Sequence, residues 1–561
     1  MSKLLMHILF IILIGTSHLA KSQSVVNTVH NLSTSGTGDI KATSESEICI
    51  FCHTPHNSRP LSPLWNRDDP GVTYILYNSS TIDASPGQPD GSSILCLSCH
   101  DGTIAIGNVY TKATDISLVS GITFMPSGNS NLLTDLSDDH PISFIYNSSL
   151  AISDGELKDP ASITWPVELE DDKLQCTSCH DPHKNTYSKF LLASPQNSTL
   201  CISCHDRDYW PGSSHSTSNS TWNGSGSDPW VHTEYSTVSE NACENCHKTH
   251  GAGSSELLLK YEIEENNCLD CHNGNVASTN IEIQLSKSYN HNVYSYGEVH
   301  DANESALVLT QHVECEDCHN PHAARNNLDV APNVQGFNEG VVGIDQSGNE
   351  VNPASYEYEI CYRCHADSPT KPTSTTTRVI VQDNVRLEFD TGNPSYHPVS
   401  GAGANADVPS LIAPLAVSSV IYCTDCHASD GAGSPEGPHG SIYPSILKYQ
   451  YETADYTSES ANNYELCYSC HSRTSILSDE TFSYHYKHIV EEDSPCNACH
   501  DPHGVSSLDG TLTNNTHLIN FDVSIVSANG AGIRRFVDLG YRSGYCQLNC
   551  HGKGHGPGMN Y

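Results

Sequence analysis

The cysteines and histidines of this chain follow a strict pattern. All 24 cysteines fall into doublets, and a histidine directly follows the second cysteine of each doublet. Eleven motifs read C-x-x-C-H, at Cys49/Cys52/His53, Cys96/Cys99/His100, Cys176/Cys179/His180, Cys201/Cys204/His205, Cys243/Cys246/His247, Cys268/Cys271/His272, Cys315/Cys318/His319, Cys361/Cys364/His365, Cys423/Cys426/His427, Cys467/Cys470/His471 and Cys496/Cys499/His500. In the twelfth, Cys546/Cys550/His551, three residues separate the cysteines.

The C-x-x-C-H spacing is typical of covalent haem attachment. Cysteines three residues apart share one face of a helical turn, so both thiols can form thioethers with the vinyl groups of one haem. The histidine that follows can then bind the iron as its proximal ligand. The pattern predicts twelve covalently bound c-type haems, and the extra residue in the last motif predicts a looser, π-like turn there.

Zinc sites and disulfide frameworks also use paired cysteines. Neither requires a histidine directly after every second cysteine. Histidine accounts for only 32 of 561 residues, so twelve such placements do not arise by chance. The pattern therefore favours haem attachment over zinc or disulfides.

The second axial ligand of most irons is predicted to be histidine as well. Apart from two methionines at the N-terminus, only Met125 and Met559 could act as sulfur ligands. Five motifs continue as C-H-x-x-H, and the trailing histidine shares a helix face with the first, so it should bind the iron of a neighbouring haem. In the motif at Cys423 an insertion delays this histidine to His439.

Twelve histidines are predicted as distal ligands. The trailing set comprises His56, His183, His250, His322, His439 and His503. A leading set, upstream of each motif pair, comprises His30, His140, His232, His312, His397 and His488. The remaining candidates are His215, His291, His300, His485, His517 and His555.

The motifs also form an internal repeat of six pairs. The predicted organisation is a signal peptide at 1–22 followed by haem-pair units at 23–130, 131–222, 223–285, 286–372, 373–478 and 479–561. The signal peptide is indicated by Lys3, the apolar run from Leu4 to Ile14 and the small residues around Ala20. This run is too short to span a bilayer. We therefore expect an exported protein, periplasmic or extracellular, with no membrane span after cleavage.

Composition predicts a loop-rich fold with the haems as its core. Gly, Ser, Thr and Asn are frequent, and twelve haems leave only about 45 residues for each. We expect mostly irregular structure with short α-helical turns at the motifs and a few short β-strands, including stretches within Arg378 to Phe389 and Leu518 to Val526. The net charge of -39 disfavours nucleic acid as a partner.

The chain resembles the doubled C-x-x-C-H multihaem cytochromes, which are common in bacteria that respire on extracellular acceptors. The resemblance rests on the motifs and on segments such as 47–56, 63–67, 95–103, 139–142, 437–440 and 518–552. It implies electron transfer in the periplasm or outside the cell, with redox proteins or extracellular acceptors as partners. Some similar cytochromes polymerise into haem filaments, so self-association is a further expectation.

Three functions are compatible with the sequence. The first is an electron conduit, in which the protein sets the spacing, ligation and exposure of the haems and needs no catalytic residue. The second is a multihaem oxidoreductase of the nitrite or hydroxylamine type, which needs one haem with an open axial position. No motif ends in lysine, a common mark of such a haem in nitrite reductases. The third, compatible with the first, is a filament subunit.

Overall fold

A computed structural model describes residues 24–59, 62–295, 300 and 312–561. The predicted signal peptide lies outside these described residues. The chain divides into two compact units. One comprises residues up to Arg207 together with Glu240–Lys260, and the other comprises Asp208–Ser239 and Tyr261–Tyr561. The six haem-pair units of the sequence do not coincide with these two units and stay a prediction.

Helices in the described residues are short. The α-helices, numbered in chain order, are α1 Gly91–His100, α2 Ser148–Asp154, α3 Ser214–Thr217, α4 Val238–Asn241, α5 Glu264–His272, α6 Ile281–Leu285, α7 Glu357–His365, α8 Val385–Glu388, α9 Glu465–Tyr468 and α10 Arg473–Leu477. A π-helical segment covers Lys487–Glu491. Single 3-10 turns connect much of the remaining chain.

Most strands form isolated two-residue ladders. The strands are β1 Phe144–Ile145, β2 Lys173–Leu174, β3 Tyr289–Asn290, β4 Gly343–Ile344, β5 Glu350–Val351, β6 Ser395–Tyr396, β7 Gly440–Ser441, β8 Gly504–Val505, β9 Val526–Ser527, β10 Arg535–Gly540, β11 Ser543–Cys550 and β12 Lys553–His555. Antiparallel pairs join β1 with β2, β3 with β7, β4 with β5 and β6 with β8. A four-stranded sheet near the C-terminus has β11 paired with β9, β10 and β12.

The apolar core is divided into small clusters. The largest clusters within the described residues contain six buried side chains, for example Ile344, Tyr358, Tyr362, Ala366, Phe389 and Val399. Burying so little apolar surface at each site stabilises a fold only weakly. The loop-rich fold predicted from composition is confirmed. Of the two expected β-stretches, the first contains α8 instead, and the second reaches a strand only at Val526.

No helix among the described residues is both long enough and apolar enough to cross a membrane.

Candidate haem-binding centres

Eleven of the twelve cysteine motifs lie on helical turns. Seven occupy 3-10 turns, at Cys49–Phe51, Cys176–Ser178, Cys201–Ser203, Ala242–Asn245, Cys315–Asp317, Cys423–Asp425 and Cys496–Ala498. Four lie on α1, α5, α7 and α9. The backbone N–H of the motif histidine donates to the carbonyl of the first cysteine, as from His180 to Cys176 at 3.0 Å. This turn brings both thiols and the imidazole to one side of the backbone.

The second cysteine of a motif lies within its helical turn or just beyond it. Cys246 lies just beyond the 3-10 turn Ala242–Asn245 rather than on an α-turn, and its N–H donates to the carbonyl of Cys243 at 3.2 Å. Cys271 and Cys364 instead lie near the ends of α5 and α7, which are nine-residue helices. All three cysteines are partly buried. Haem attachment at Cys246, Cys271 and Cys364, as at the other motif cysteines, stays a prediction.

Ten motif histidines face a second histidine across a narrow gap. The ring centres of these pairs are 6.0 to 6.4 Å apart. The pairs are His53 with His183, His100 with His30, His180 with His250, His205 with His140, His272 with His215, His319 with His439, His365 with His291, His427 with His503, His471 with His397 and His500 with His485.

This separation fits one iron between two imidazoles. Two ring nitrogens that bind one metal ion from opposite sides, each at about 2 Å, place the ring centres about 6 Å apart. Rings in direct contact would lie closer, as His30 does to Phe190 at 4.2 Å. Each gap is flanked by the two cysteines of its motif, so the donor set matches a bis-histidine c-type haem.

The motif histidines are oriented through their outer ring nitrogen. The N–H at Nδ1 donates to the carbonyl oxygen of Lys189 from His180 and to that of Leu257 from His247, both at 2.8 Å. His427 binds Ser445 in the same way. Such bonds fix the tautomer and leave Nε2 available for a metal. Lys189, Leu257 and Ser445 all have φ between 57 and 59°, a left-handed conformation that costs about 1–2 kcal/mol per residue.

Three of the histidines that face a motif histidine are held in orientation by a proline carbonyl from another motif. The Nδ1–H of His30 donates to the carbonyl of Pro182 at 3.1 Å, and that of His215 donates to Pro321 at 2.8 Å. His397 binds Pro502 in the same way. Each of these prolines directly precedes a trailing histidine. In a C-H-x-P-H segment the proline carbonyl therefore orients one histidine, and the residue after the proline is itself a trailing histidine.

Burial favours the neutral form of many paired imidazoles, which is the form that binds metals. Burial, with repulsion from a neighbouring imidazole, lowers the pKa of six motif histidines to about 4, namely His205, His272, His365, His427, His471 and His500. The same causes lower the pKa of His439 to about 3. These sites therefore require no deprotonation before metal binding near neutral pH.

Two distal histidines contact buried carboxylates instead of carbonyls. His250 Nδ1 lies 3.0 Å from Asp139 Oδ1, and His503 Nδ1 lies 2.9 Å from Glu388 Oε2. Burial alone would lower the pKa of His503, but the hydrogen bond to Glu388 and the negative charges of Glu388 and Asp501 together outweigh burial and raise the pKa. A carboxylate partner makes an imidazole a stronger donor to iron and so favours the oxidised state.

We expect the Glu388→Gln variant to raise the midpoint potential of one haem. A tenfold change in the relative stability of the oxidised form corresponds to about 60 mV for one electron, and we expect a shift of that order. Spectroelectrochemical titration of the holoprotein measures it. Asp390→Asn removes a nearby carboxylate that binds Gly392 rather than a histidine and serves as the control. Equal titration curves for wild type and Glu388→Gln would contradict the expectation.

The histidines that face a motif histidine come both from the twelve predicted distal ligands and from the remaining candidates. Seven predicted distal histidines lie opposite a motif histidine, namely His30, His140, His183, His250, His397, His439 and His503. Three of the remaining candidates, His215, His291 and His485, also lie opposite a motif histidine. His56 is exposed. Ligation by His56, His232, His312 and His322 stays a prediction, as does the identity of the second ligand for the motif of His247.

Two of the histidines that face a motif histidine lie further upstream of their motif pair than the predicted ones. The sequence predicts the nearest upstream histidines, His232 and His312, for two motif pairs. The structure places the more distant His215 and His291 opposite motif histidines instead. His312 stands only three residues before Cys315 and is therefore close to its own motif turn. A minimum distance upstream of the motif pair is the sequence signal that favours His215 and His291.

Consecutive motifs are in direct contact through their cysteines. In four places the first cysteine of a pair's second motif lies close enough to the first cysteine of the next pair to raise its own thiol pKa or that of its neighbour, as in Cys96 with Cys176 and Cys201 with Cys243. The same contact joins Cys361 with Cys423 and Cys467 with Cys496. The attachment sites on either side of each contact are therefore neighbours in space as well as in sequence.

The twelfth motif differs from the others and from its prediction. Cys546 and Cys550 lie on strand β11, so the expected π-like turn is wrong. Within the described part of the chain the contact given for His551 is instead to a carboxylate, with its Nε2 2.9 Å from Asp455 Oδ1. The physical reason is local, because β11 pairs with β9, β10 and β12 and is held extended.

Two family matches agree with this geometry. The doubled CXXCH motif family matches residues 169–209 and 413–475. Residues 235–395 match the family described as outer membrane cytochrome MtrC/MtrF-like, domains II/IV. No match was found among curated proteins. Together with the cysteine motifs and the facing histidines, these matches support a multihaem c-type cytochrome that carries the doubled CXXCH motif.

Proposed function

We propose that the chain is a dodecahaem electron conduit in which the irons are bound mostly by two histidines. Haem iron supplies one-electron redox chemistry when it is bound. The observation that carries the proposal is the set of ten motif histidines that each face a second histidine at 6.0 to 6.4 Å. Both axial positions are then filled, which leaves no open position for a substrate at those sites.

The cysteine contacts support an electron path within each of the two compact units. Within a motif pair the second cysteines lie close enough to interact electrostatically, as Cys179 does with Cys204 and Cys426 with Cys470. Between pairs the first cysteines touch, as Cys361 does with Cys423. Among the described residues these two arrangements alternate from Cys52 to Cys243 in the first compact unit and from Cys318 to Cys546 in the second, and they keep those attachment sites adjacent. The protein thus sets the short spacing that electron tunnelling between cofactors requires.

Location and partners follow from the family likeness and the charge. We propose that the protein is exported and acts in the periplasm or at the cell exterior, where it exchanges electrons with redox proteins or extracellular acceptors. The net charge of -39 favours basic surfaces or bridging cations at such contacts. Self-association into filaments is proposed from the family resemblance alone, and electron micrographs of the purified holoprotein would test it.

Low-temperature EPR with redox titration tests the conduit proposal. The angle between axial imidazole planes sets the rhombicity of a low-spin ferric haem. His319 and His439 are nearly parallel at 5°, whereas His215 and His272 are nearly perpendicular at 84°. We therefore expect rhombic low-spin signals together with strongly anisotropic ones, and low potentials throughout. A high-spin haem that responds to nitrite or hydroxylamine would contradict the conduit and favour the oxidoreductase alternative.

A further inference from the structure

His300 is a buried histidine whose ring contacts two carboxylates. Its Nδ1 lies 2.9 Å from Glu314 Oε2 and 4.0 Å from Asp317 Oδ1. His250 and His503 also contact carboxylates through Nδ1, but each of them faces a motif histidine. Among the described residues the structure gives His300 no such role. Its buried ring therefore needs another explanation.

The three side chains offer one nitrogen and two carboxylate groups to a common point. His300 Nδ1 and a carboxylate oxygen from each of Glu314 and Asp317 all lie within 4.8 Å of one another. Two ligand atoms that are each about 2.1 Å from one zinc ion lie roughly 3 Å apart at right angles and roughly 4.2 Å apart across the ion. The two distances from Nδ1, 2.9 and 4.0 Å, fit that span.

Two buried carboxylate oxygens beside His300 have no hydrogen-bond partner among the described residues. One is Asp317 Oδ1, although Nη2 of Arg363 lies 3.3 Å away in an ion pair. The other is Glu264 Oε1, whereas Glu264 Oε2 accepts a hydrogen bond from the backbone N–H of His300 at 2.8 Å. Glu264 and Asp317 are only 2 and 6 % exposed. Since buried carboxylate oxygens are unfavourable unless they are paired, these two atoms indicate a further cation.

Negative charge exceeds positive charge in this cluster. Its four buried carboxyl groups belong to Glu264, Glu265, Glu314 and Asp317. The permanent cation buried with them is the guanidinium of Arg363. One positive charge does not balance four carboxylates, so a divalent ion would stabilise the cluster more than a single proton on the histidine can.

The pKa values reflect the same imbalance. Burial, with repulsion from Glu316 and Glu314, raises the pKa of Glu264 to about 8. Burial alone would lower the pKa of His300, but the hydrogen bond to Glu314 and the nearby negative charges outweigh burial and raise it to about 9. Both groups therefore hold a proton near neutral pH when no other cation is present. A metal ion that binds Nδ1 displaces the proton of His300.

The cluster lies where three consecutive haem motifs meet, within the second compact unit. Asp317 ends the 3-10 turn Cys315–Asp317 and stands between the two cysteines of its motif. Arg363 stands between the cysteines of the next motif, and its Nη1 donates to Asp317 O at 2.9 Å. Glu264 begins α5, which carries the preceding motif. An ion at this point contacts the turn of one motif and lies beside residues of the motifs before and after it.

We infer that His300, Glu314 and Asp317 bind one zinc ion. Zinc combines imidazole nitrogen with carboxylate oxygen, whereas calcium and magnesium bind oxygen ligands. Three protein ligands leave a fourth position for water. The site is separate from the haem irons and uses no cysteine, so it goes beyond the proposed electron transfer. The ion compensates the buried carboxylates and holds the turn of the Cys315 motif against its neighbours.

Equilibrium dialysis of the haem-loaded protein against Zn²⁺, followed by elemental analysis, tests the site. We expect one zinc ion to be retained per chain, besides the haem iron. X-ray absorption at the zinc edge should show nitrogen and oxygen neighbours at about 2.0–2.1 Å and no sulfur at about 2.3 Å. His300→Gln should weaken zinc binding about tenfold or more.

A second variant and a matched control accompany His300→Gln. Glu314→Gln should also weaken zinc binding and serves if His300→Gln fails to mature, because its amide oxygen can still cap the motif turn. His517→Gln changes a histidine that lies 3.7 Å from Asp538, outside the cluster. This control should retain zinc as the wild type does.

Several results would overturn the inference. Zinc that is absent from the dialysed wild type, or that is retained equally by His300→Gln and Glu314→Gln, excludes these ligands. Sulfur neighbours at the zinc would assign the ion to cysteines without haem. Calcium retained in place of zinc, and unaffected by His300→Gln, would indicate a site of oxygen ligands alone. Mass spectrometry counts the haems separately, so a failure of the proposed function is distinguishable from a failure of the zinc site.

Discussion

Produced without covalent haem attachment, the chain should remain largely unfolded. The largest apolar clusters among the described residues contain six buried side chains, and at about 25 cal/mol per Å² such clusters do not offset the conformational entropy of the loops around them. The paired histidines would also face each other across gaps with nothing between them. Expression in a host without a haem-attachment system, followed by circular dichroism and limited proteolysis, measures the effect.

The control for this experiment is the same chain matured with all its haems. We expect it to resist protease under conditions that digest the apoprotein within minutes. The order of events also matters, because attachment must then precede folding rather than follow it. An apoprotein with native-like protection and a cooperative unfolding transition would show that the polypeptide supplies its own core.

His183→Met should raise the potential of one haem by a large amount. His183 lies opposite His53, with ring centres 6.0 Å apart, and belongs to the C-H-D-P-H segment of another motif. Methionine in place of histidine raises the potential of c-type haems, and axial ligands span about 0.8 V in total. We expect an upward shift on the order of 0.1–0.3 V for that haem, with every haem still attached.

Spectroelectrochemical titration and a haem count by mass spectrometry check this result together. His517→Met is a suitable control, because His517 is partly exposed and its Nδ1 contacts Asn405 rather than lying opposite another histidine. A wild-type titration curve for His183→Met would exclude His183 as a ligand. It would also weaken the idea that trailing histidines connect neighbouring motifs.

The sequence predicted much of the local structure for a simple reason. Cysteines and a histidine within five residues share one turn, so their arrangement depends on few dihedral angles and is visible in the spacing. Eleven motifs do adopt helical turns. The exception is the twelfth motif. Its extra residue before Cys550 predicts a looser turn, but β11 pairs with neighbouring strands and the motif is extended.

The number of haem attachment motifs and their order along the chain were determined by the sequence alone, since those features are local and covalent. Only the tertiary structure decided which distant histidine faces each motif, as with His53 and His183 or His319 and His439. It also placed His488 and His555 together near the last motif. A second axial ligand must approach from the far side of the haem, where its own turn cannot reach. Long-range packing of the loops therefore selects it, and the spacing of residues along the chain does not.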